Sequence, residues 1–229
     1  MAAELRIAIA GAGRMGKAIA ALIDSDPALE QVGIWSRGGD LDALVTAADV
    51  VIDFSLPEGT AEVVAAIERH QKPLVCGVSG LDEGQLAAME RAARRVPVVY
   101  DRNMSQGIAV LAETLRRVAA TLGDEFSVRI EETHHIHKKD APSGTALKLG
   151  EVLAGARGID ADAIDYRSER RGDVPGDHAV LFASATESLT LSHSVTTRDV
   201  FAAGAVRAAR WIVGREAGRY AMHDVLFDD

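Results

Sequence analysis

Cysteine is almost missing from this chain: Cys76 is the single one among 229 residues. One thiol excludes an internal disulfide framework and a cysteine-built zinc site, and it fits a reducing compartment. Aromatic residues make up only 4%, too few for a platform on which nucleobases stack. Basic residues are outnumbered, with 25 Lys+Arg against 34 Asp+Glu and a net charge of −9. That balance argues against nucleic acid as a partner, because binding a phosphate backbone needs a basic surface. Small anionic ligands stay open, since a local cationic cluster can override the net charge. No apolar run approaches the ~18 residues of a membrane span. A strand-like run begins within a few residues of Met1, which leaves no room for a signal peptide. The expectation is a cytoplasmic protein with neither a nucleic-acid nor a membrane partner.

What is present is an ordinary globular mixture, 48% hydrophobic and 26% charged, long enough to bury one large core or two small ones. The first half alternates two signals. Short apolar runs at Leu5–Ala10, Val32–Trp35, Val50–Phe54, Leu74–Cys76 and Val98–Tyr100 read as strands. Helical spacing at Met15–Ile23, Glu58–His70 and Asp82–Arg95 separates them. Strand–helix alternation predicts right-handed βαβ units and a parallel sheet covered on both faces. The pattern changes near residue 106. Ile108–Leu122 reads as a long helix, Ser127–Thr133 as a half-buried strand, and a helix runs from Ser143 to about Ala156. Arg157–Asp177 reads as a polar loop, Ala179–Ser184 and Ser188–Val195 as strands, and Ala202–Gly214 as a final helix. Strands adjacent in sequence without intervening helices predict an antiparallel or mixed sheet. The fold class is therefore α/β: a Rossmann-like parallel-sheet domain followed by a smaller α+β unit.

Gly11-Ala12-Gly13-Arg14-Met15-Gly16 is a G-x-G-x-x-G turn between the first strand and the first helix. In that context the first glycine permits a tight turn, the second lets the backbone approach a pyrophosphate, and the third lets helix and strand pack closely. The free N–H groups of the helix start would face the phosphates. An acidic residue at the end of the second strand usually binds the adenosine ribose of NAD. Here the stretch is Trp35-Ser36-Arg37-Gly38, with no carboxylate before Asp40. A missing acid and a placed Arg37, with Arg14 in the turn, favour NADPH while admitting NADH. Gly77-Val78-Ser79 and Asp101-Arg102-Asn103-Met104 follow the fourth and fifth strands, at the strand ends where open α/β sheets bind ligands. Ordinary turn chemistry explains those two segments equally well.

The densest chemistry lies in Glu131–Ala146, EETHHIHKKDAPSGTA, where three of the seven histidines fall within four positions. Ser143-Gly144-Thr145 reads as a helix start, which binds carboxylate or phosphate through hydroxyls and free N–H groups. Lys138 and Lys139 add positive charge, so the segment reads as an anion site beside a proton donor. Metal ligation is disfavoured, because ammonium groups seldom sit beside metal ligands. Glu131 and Glu132 read as structural or solvated. Two other readings fit the same residues: another NAD(P)-dependent dehydrogenase of an amino-acid-like substrate, and a nucleotide-sensing protein without activity.

This segment resembles the signature of the dihydrodipicolinate reductase family, E-x-H-H-x-x-K-x-D-A-P-S-G-T-A, with a match at every specified position. IAGAGRMG, VVIDFSLPEGT, PLVCGVSGLD, RNMSQGIAVL and FAAGAVRAARW also resemble family segments, in order. The resemblance implies NAD(P)H-dependent reduction of a cyclic dicarboxylate imine in lysine and diaminopimelate biosynthesis. It implies His134 and Lys138 as proton-transfer residues, with either able to deliver the proton. His135, Ser143, Gly144 and Thr145 would contact substrate carboxylates. Gly11 to Gly16, Arg37, Gly77 to Ser79 and Asp101 to Met104 would contact the coenzyme. It further implies a nucleotide domain of residues 1–105 plus about 199–229, a substrate and oligomerisation domain of 106–198, and a homotetramer built through the smaller domain's sheet. Ser36 departs from the acidic residue usual in the family, Asp101, Arg102 and Met104 are unusual, and the region after Arg171 is short.

Overall fold

The computed structural model describes residues 4–228; residues 1–3 and 229 of the expected nucleotide domain lie outside the described residues. The chain forms two compact units. One takes the chain up to Gln106 and again from Asp199, and the other is Gly107–Arg198.

The first unit runs β1 Leu5–Ala10, α1 Arg14–Asp24, β2 Leu29–Trp35, α2 Leu41–Ala47, β3 Val50–Asp53, α3 Pro57–His70, β4 Leu74–Cys76, α4 Glu83–Ala92 and β5 Pro97–Tyr100. Strands β3 and β4 are buried at every position, as continuous apolar runs between two helical layers must be. Local chemistry sets the helix limits. Pro57 opens α3 and left-handed Gln71 closes it, while Asp82 and Gln85 form a reciprocal capping box on α4. After the second unit, α7 Asp199–Ile212, β10 Gly218–Tyr220 and α8 Met222–Phe227 complete this unit. The sheet is parallel, in the order β10-β5-β4-β3-β1-β2. Strand β1 has β2 on one side and β3 on the other, so the winding reverses there. The crevice beyond the strand ends at such a reversal is where open α/β sheets bind ligands.

Two expectations need correction in this unit. The helix read as final is not final: α7 is followed by β10 and α8, and β10 is a three-residue strand defined only by its pairing with β5. Helix α2 is an addition, because seven residues carry too little periodicity to announce it; its Asp40 cap, accepting from Ala43 N at 2.9 Å, marks the start.

The second unit comprises α5 Gln106–Leu122, β6 Ser127–His134, α6 Gly144–Arg157, β7 Asp165–Arg170, β8 Asp177–Ala183 and β9 Ser188–Ser194. Its sheet is mixed, in the order β7-β6-β8-β9, with β7 parallel to β6 and the other pairs antiparallel. Ile130, Val180 and Phe182 pack with Leu115 of α5 and with Leu149 and Leu153 of α6. The opposite face alternates with these positions along each strand. It carries Arg129, Glu131, Asp165 and Arg167 on β6 and β7, then Ala179, Leu181, Thr190 and Ser192 towards β9.

Strand β7 corrects the expected loop over Arg157–Asp177. Its sequence, DYRSER, offers the core little beyond half-buried Tyr166, so no apolar alternation reveals it. It is a strand because α6 crosses over and returns the chain parallel to β6. No helix among the described residues is long and apolar enough to cross a membrane.

Packing of α7 supplies a test of the first unit. A Cβ on Gly204 would stand 1.7 Å from the Met104 carbonyl oxygen, a backbone atom that cannot swing aside. Overpacking of this kind costs about 1–3 kcal/mol. Gly204→Ala is expected to lower the melting temperature, at roughly 2–4 °C per kcal/mol for a chain of this size. An unchanged melting temperature would mean that α7 shifts at no cost.

Candidate active site

Strand β1 delivers the chain into the glycine turn. Gly11 has φ +109°, and a Cβ there would stand 2.5 Å from the Phe54 carbonyl oxygen. A Cβ on Gly16 would stand 1.9 Å from the Gly11 carbonyl oxygen. Both positions therefore demand glycine. Gly13 differs, since nothing lies within 4 Å of the Cβ it lacks. It precedes α1, which has no side-chain cap and no acidic residue in its first turn. The N–H groups of Arg14, Met15 and Gly16 thus begin α1 without intrahelical acceptors, a site suited to an anion. Ala12, Arg14, Ser36 and Arg37 are exposed and Met15 is half-buried. Asp40, the first carboxylate after β2, caps α2. An open glycine and an uncapped helix start fit the pyrophosphate of a dinucleotide.

The segments after β4 and β5 serve packing as well. A Cβ on Gly77 would stand 2.3 Å from the Phe54 ring. Val78 lies in the core while Ser79 is exposed. Asp101 is buried; its carboxylate accepts from Asn103 N at 3.2 Å and from Met222 N at 3.3 Å, tying the end of β5 to the start of α8. Arg102 is exposed, Asn103 half-buried and Met104 buried. The Asn103 side chain accepts from Ser105 N at 2.8 Å. The side chains of Val78, Asp101 and Met104 are thus committed to packing or internal bonds, and a ligand would meet mainly backbone there. Asp53, not singled out from the sequence, is fully buried at the end of β3, and burial pushes its carboxyl above the ordinary value.

A cluster of buried histidines with a charged partner lies in the second unit. Alternation along β6 puts Glu132 and His134 on the helix-covered face and leaves Glu131 exposed on the other. His134 is buried, and its Nδ1 is hydrogen-bonded to Glu132 Oε2. Glu132 is only 2% exposed. Its Oε1 accepts from Arg170 Nη1 at 3.0 Å. Arg170 also donates to the carbonyl oxygens of Lys138, at 3.3 Å, and of Asp140. His178 of β8 pairs with Glu132 in register. Its ring meets His134 edge-on, with centroids 5.2 Å apart, and its Nε2 lies 3.3 Å from Ser143 Oγ.

Ser143 is buried and caps α6, accepting from Ala146 N at 3.1 Å. Gly144 and Thr145 follow, half-buried, and the space beside Gly144 is open. His135 and Lys138 are half-buried, while His137 and Lys139 are exposed. Lys138 Nζ lies 2.9 Å from Asp140 Oδ2. Burial works against the charge on Asp140, but the Lys138 ammonium and the backbone at Gly144 hold its carboxyl below the ordinary value.

Burial governs the other titrations. It drives His134 below its ordinary value against the pull of Glu132. It pushes Glu132 upward, but Ser168, Arg170 and His134 together hold that carboxyl low. His178 is pushed down to about 4, mainly by burial.

The structure brings His134, His135, Lys138, Ser143, Gly144 and Thr145 into one segment, from the end of β6 to the start of α6. Of the two readings open for the glutamate pair, structural or solvated, Glu132 takes the structural one, because the period of the strand turns it inward, while Glu131 is solvated. Arg170 and His178 are additions to the expected set. Arg170 belongs to the stretch read as a loop, and His178 sits in Gly176-Asp177-His178, ahead of the expected strand.

A parallel Rossmann-like sheet with a phosphate-suited turn, followed in the chain by a mixed-sheet unit with buried histidines, is an architecture of dinucleotide-dependent oxidoreductases. Family models for the dihydrodipicolinate reductase N-terminus and C-terminus match residues 5–104 and 107–226, and the chain belongs to the dihydrodipicolinate reductase family. It is 39% identical to the 4-hydroxy-tetrahydrodipicolinate reductase of Alkalilimnicola ehrlichii, covering 96% of this chain and 98% of that protein. It is 41% identical to the enzyme of the same name from Xanthomonas euvesicatoria, covering 97% and 98%. Among solved structures, dipicolinate-bound dihydrodipicolinate reductase from Paenisporosarcina sp. TG-14 matches with a TM-score of 0.84. That match covers 97% of this chain and all of the other at 22% identity, and it bears on the fold.

Neutral, buried His178 makes the second unit sensitive to acid. Between its ordinary value of 6.5 and about 4, the unfolded chain takes up a proton that the folded chain refuses. The stabilisation is complete above pH 6.5 and is lost as pH falls towards 4, by at most about 3 kcal/mol. His134, also shifted down, adds a term of the same sign. Thermal melts from pH 7 to 4 are expected to fall less steeply for His178→Gln than for the native chain. Parallel curves would rule this origin out.

Proposed function

We propose that this chain reduces 4-hydroxy-tetrahydrodipicolinate with a nicotinamide coenzyme, as a step of lysine and diaminopimelate biosynthesis. The curated relatives bear that enzyme's name, and the Paenisporosarcina protein binds dipicolinate, a planar dicarboxylate. The observation that carries the reading is the treatment of Asp140. Lys138 Nζ and the backbone at the start of α6 already hold one carboxylate there. A substrate carboxylate would find the same cation and N–H donors, with Ser143, Gly144, Thr145 and His135 around it.

When bound, the coenzyme supplies the hydride. The residues of the chain orient the ring and deliver the proton needed by the enamine-like anion that hydride addition leaves on the substrate. Lys138 and His134 are the two groups we assign to this transfer, Lys138 through its side-chain amine and His134 as the imidazolium it forms on taking up a proton. The test is coenzyme oxidation with enzymatically generated substrate. Lys138→Ala is expected to lower turnover by at least ~10²-fold, the lower range for general acid catalysis. Coenzyme affinity should hold, because the residues assigned to the coenzyme belong to the other unit. Near-normal turnover would remove Lys138 from the mechanism.

NADPH is the preferred coenzyme in this reading, with NADH accepted through the contacts the two share. Gly11 to Gly16, Gly77 to Ser79 and Asp101 to Met104 serve both. Arg37 serves the 2′-phosphate, since Ser36 brings no opposing charge and Asp40 is engaged as a cap. One charge-assisted contact is worth about 1.5–3 kcal/mol, roughly 10- to 150-fold in affinity. Comparison of kcat/KM for the two coenzymes should show that preference, and Ser36→Asp with Arg37→Ala should invert it. A native preference for NADH would mean that Arg37 does not meet the ribose.

The sheet face left uncovered by α5 and α6, with half-buried Ala179 and Leu181 beside the hydroxyl-rich β9, is the surface we assign to a homotetramer. A cytoplasmic location fits the biosynthetic role and the single thiol.

A further inference from the structure

We propose that Glu132, clamped by Arg170, is a positioning residue that fixes the His134 proton on Nδ1 and leaves Nε2 as the nitrogen that exchanges a proton with substrate. The activity part of this inference rests on the function proposed above; the tautomer part does not.

Three observations converge on it. First, the His134 contact with Glu132 is made by Nδ1, and Nε2 has no hydrogen-bond partner among the described residues. Second, Glu132 is held as a carboxylate, because Arg170 Nη1 donates to its other oxygen at 3.0 Å and the carboxyl titrates low despite burial. A carboxylate only accepts, so the ring nitrogen facing it must carry the proton. Third, the Nε2 side is kept clear by a glycine. A Cβ on Gly176 would stand 3.0 Å from His134 Nε2, so any larger residue would crowd that nitrogen.

The charged and titratable groups around the ring are Glu132 on its own strand, Arg170 on β7, His178 on β8 and Lys138 in the following loop. Among the described residues, Glu132 is the hydrogen-bond partner of Nδ1. In the proton transfer, imidazolium Nε2–H passes its proton to the reduced ring of the substrate and the histidine becomes neutral, with Nδ1–H still bonded to Glu132. Water then returns a proton to Nε2. Arg170 has a second effect, since its bonds to the Lys138 and Asp140 carbonyls tie the loop carrying Lys138 to the same carboxylate.

Arg170 also determines what an amide would do in place of Glu132. In Glu132→Gln the side-chain carbonyl oxygen stays towards the Arg170 donor, which turns the NH₂ towards His134 Nδ1. That nitrogen must then accept, and the ring proton moves to Nε2. A misassigned tautomer of this kind disables a histidine while leaving its position intact.

The experiment records ¹⁵N spectra of histidine-labelled protein at pH 8, with His134→Asn identifying the resonances. The native chain is expected to show His134 protonated at Nδ1 and bare at Nε2, and Glu132→Gln to show the reverse. In the same variant kcat should fall by ~10²-fold or more, while the affinities for coenzyme and for pyridine-2,6-dicarboxylate change less than tenfold. Native His134 protonated at Nε2 alone would overturn the proposal, and this measurement needs no variant to fold. A swapped tautomer with undiminished kcat would overturn it too. If the native chain shows the Nδ1 proton but does not reduce 4-hydroxy-tetrahydrodipicolinate, the assignment of Glu132 stands and the functional reading falls.

Discussion

Glu132 is a carboxylate with 2% of its surface exposed, and removing such a group from water costs several kcal/mol unless partners replace the water. The second unit is arranged around supplying those partners. Parallel pairing of β7 with β6 sets Arg170 opposite His134 and Ser168 opposite Glu132. Antiparallel pairing of β8 sets His178 opposite Glu132 from the other side. A slip of one residue in either pairing would turn these side chains to the wrong face. The buried charge therefore specifies register as well as chemistry. It also gives β7, an edge strand with little apolar content, a reason to stay in place.

The two units meet their ligands by different means. In the first, the site is largely backbone. Gly11 and Gly16 are dictated by contacts of 2.5 Å and 1.9 Å that a Cβ would make, while Gly13 leaves the space beside it open. Val78, Asp101 and Met104 are absorbed in packing or internal bonds, which leaves Arg14, Ser36, Arg37 and Ser79 as exposed side chains around the turn and the strand ends. In the second unit the groups that matter are side chains whose charge and proton positions are set by neighbours. Substitutions of Gly11 and Gly16 should thus act through shape, and those of Glu132 and Arg170 through electrostatics.

This difference explains what could be read from the sequence. The parallel sheet and its glycine turn were legible because buried strands are continuous apolar runs and the three glycines have fixed spacing. His134, Lys138 and Ser143–Thr145 were legible because they lie close together in one segment. Arg170 was not, since β7 exists through pairing with β6 rather than through its own pattern, and a polar edge strand is indistinguishable from a loop. His178 was hidden for a related reason: it reaches Ser143 and His134 only once the β6–β8 register is known. Glu132 and Glu131 could not be told apart as structural or solvated, because two adjacent glutamates look alike until the strand's period sends one inward. Helix α2 and strand β10 were too short to leave a periodic trace.

The same electrostatics decide which ion pair yields to an incoming carboxylate. Two cations of the second unit are already paired, Lys138 with Asp140 and Arg170 with Glu132. The Asp140 side chain is 58% exposed, and an exposed pair of this kind contributes about 0–1 kcal/mol. The Glu132 side chain is 1% exposed, and separating a buried pair leaves an uncompensated charge at a cost of about 3–5 kcal/mol. An anion can therefore take Lys138 from Asp140 almost without penalty, because water resolvates the released carboxylate. It cannot take Arg170 from Glu132 without stranding that charge. On these costs the Lys138–Asp140 pair is the one an anion opens cheaply, and the Arg170–Glu132 pair is the one that resists.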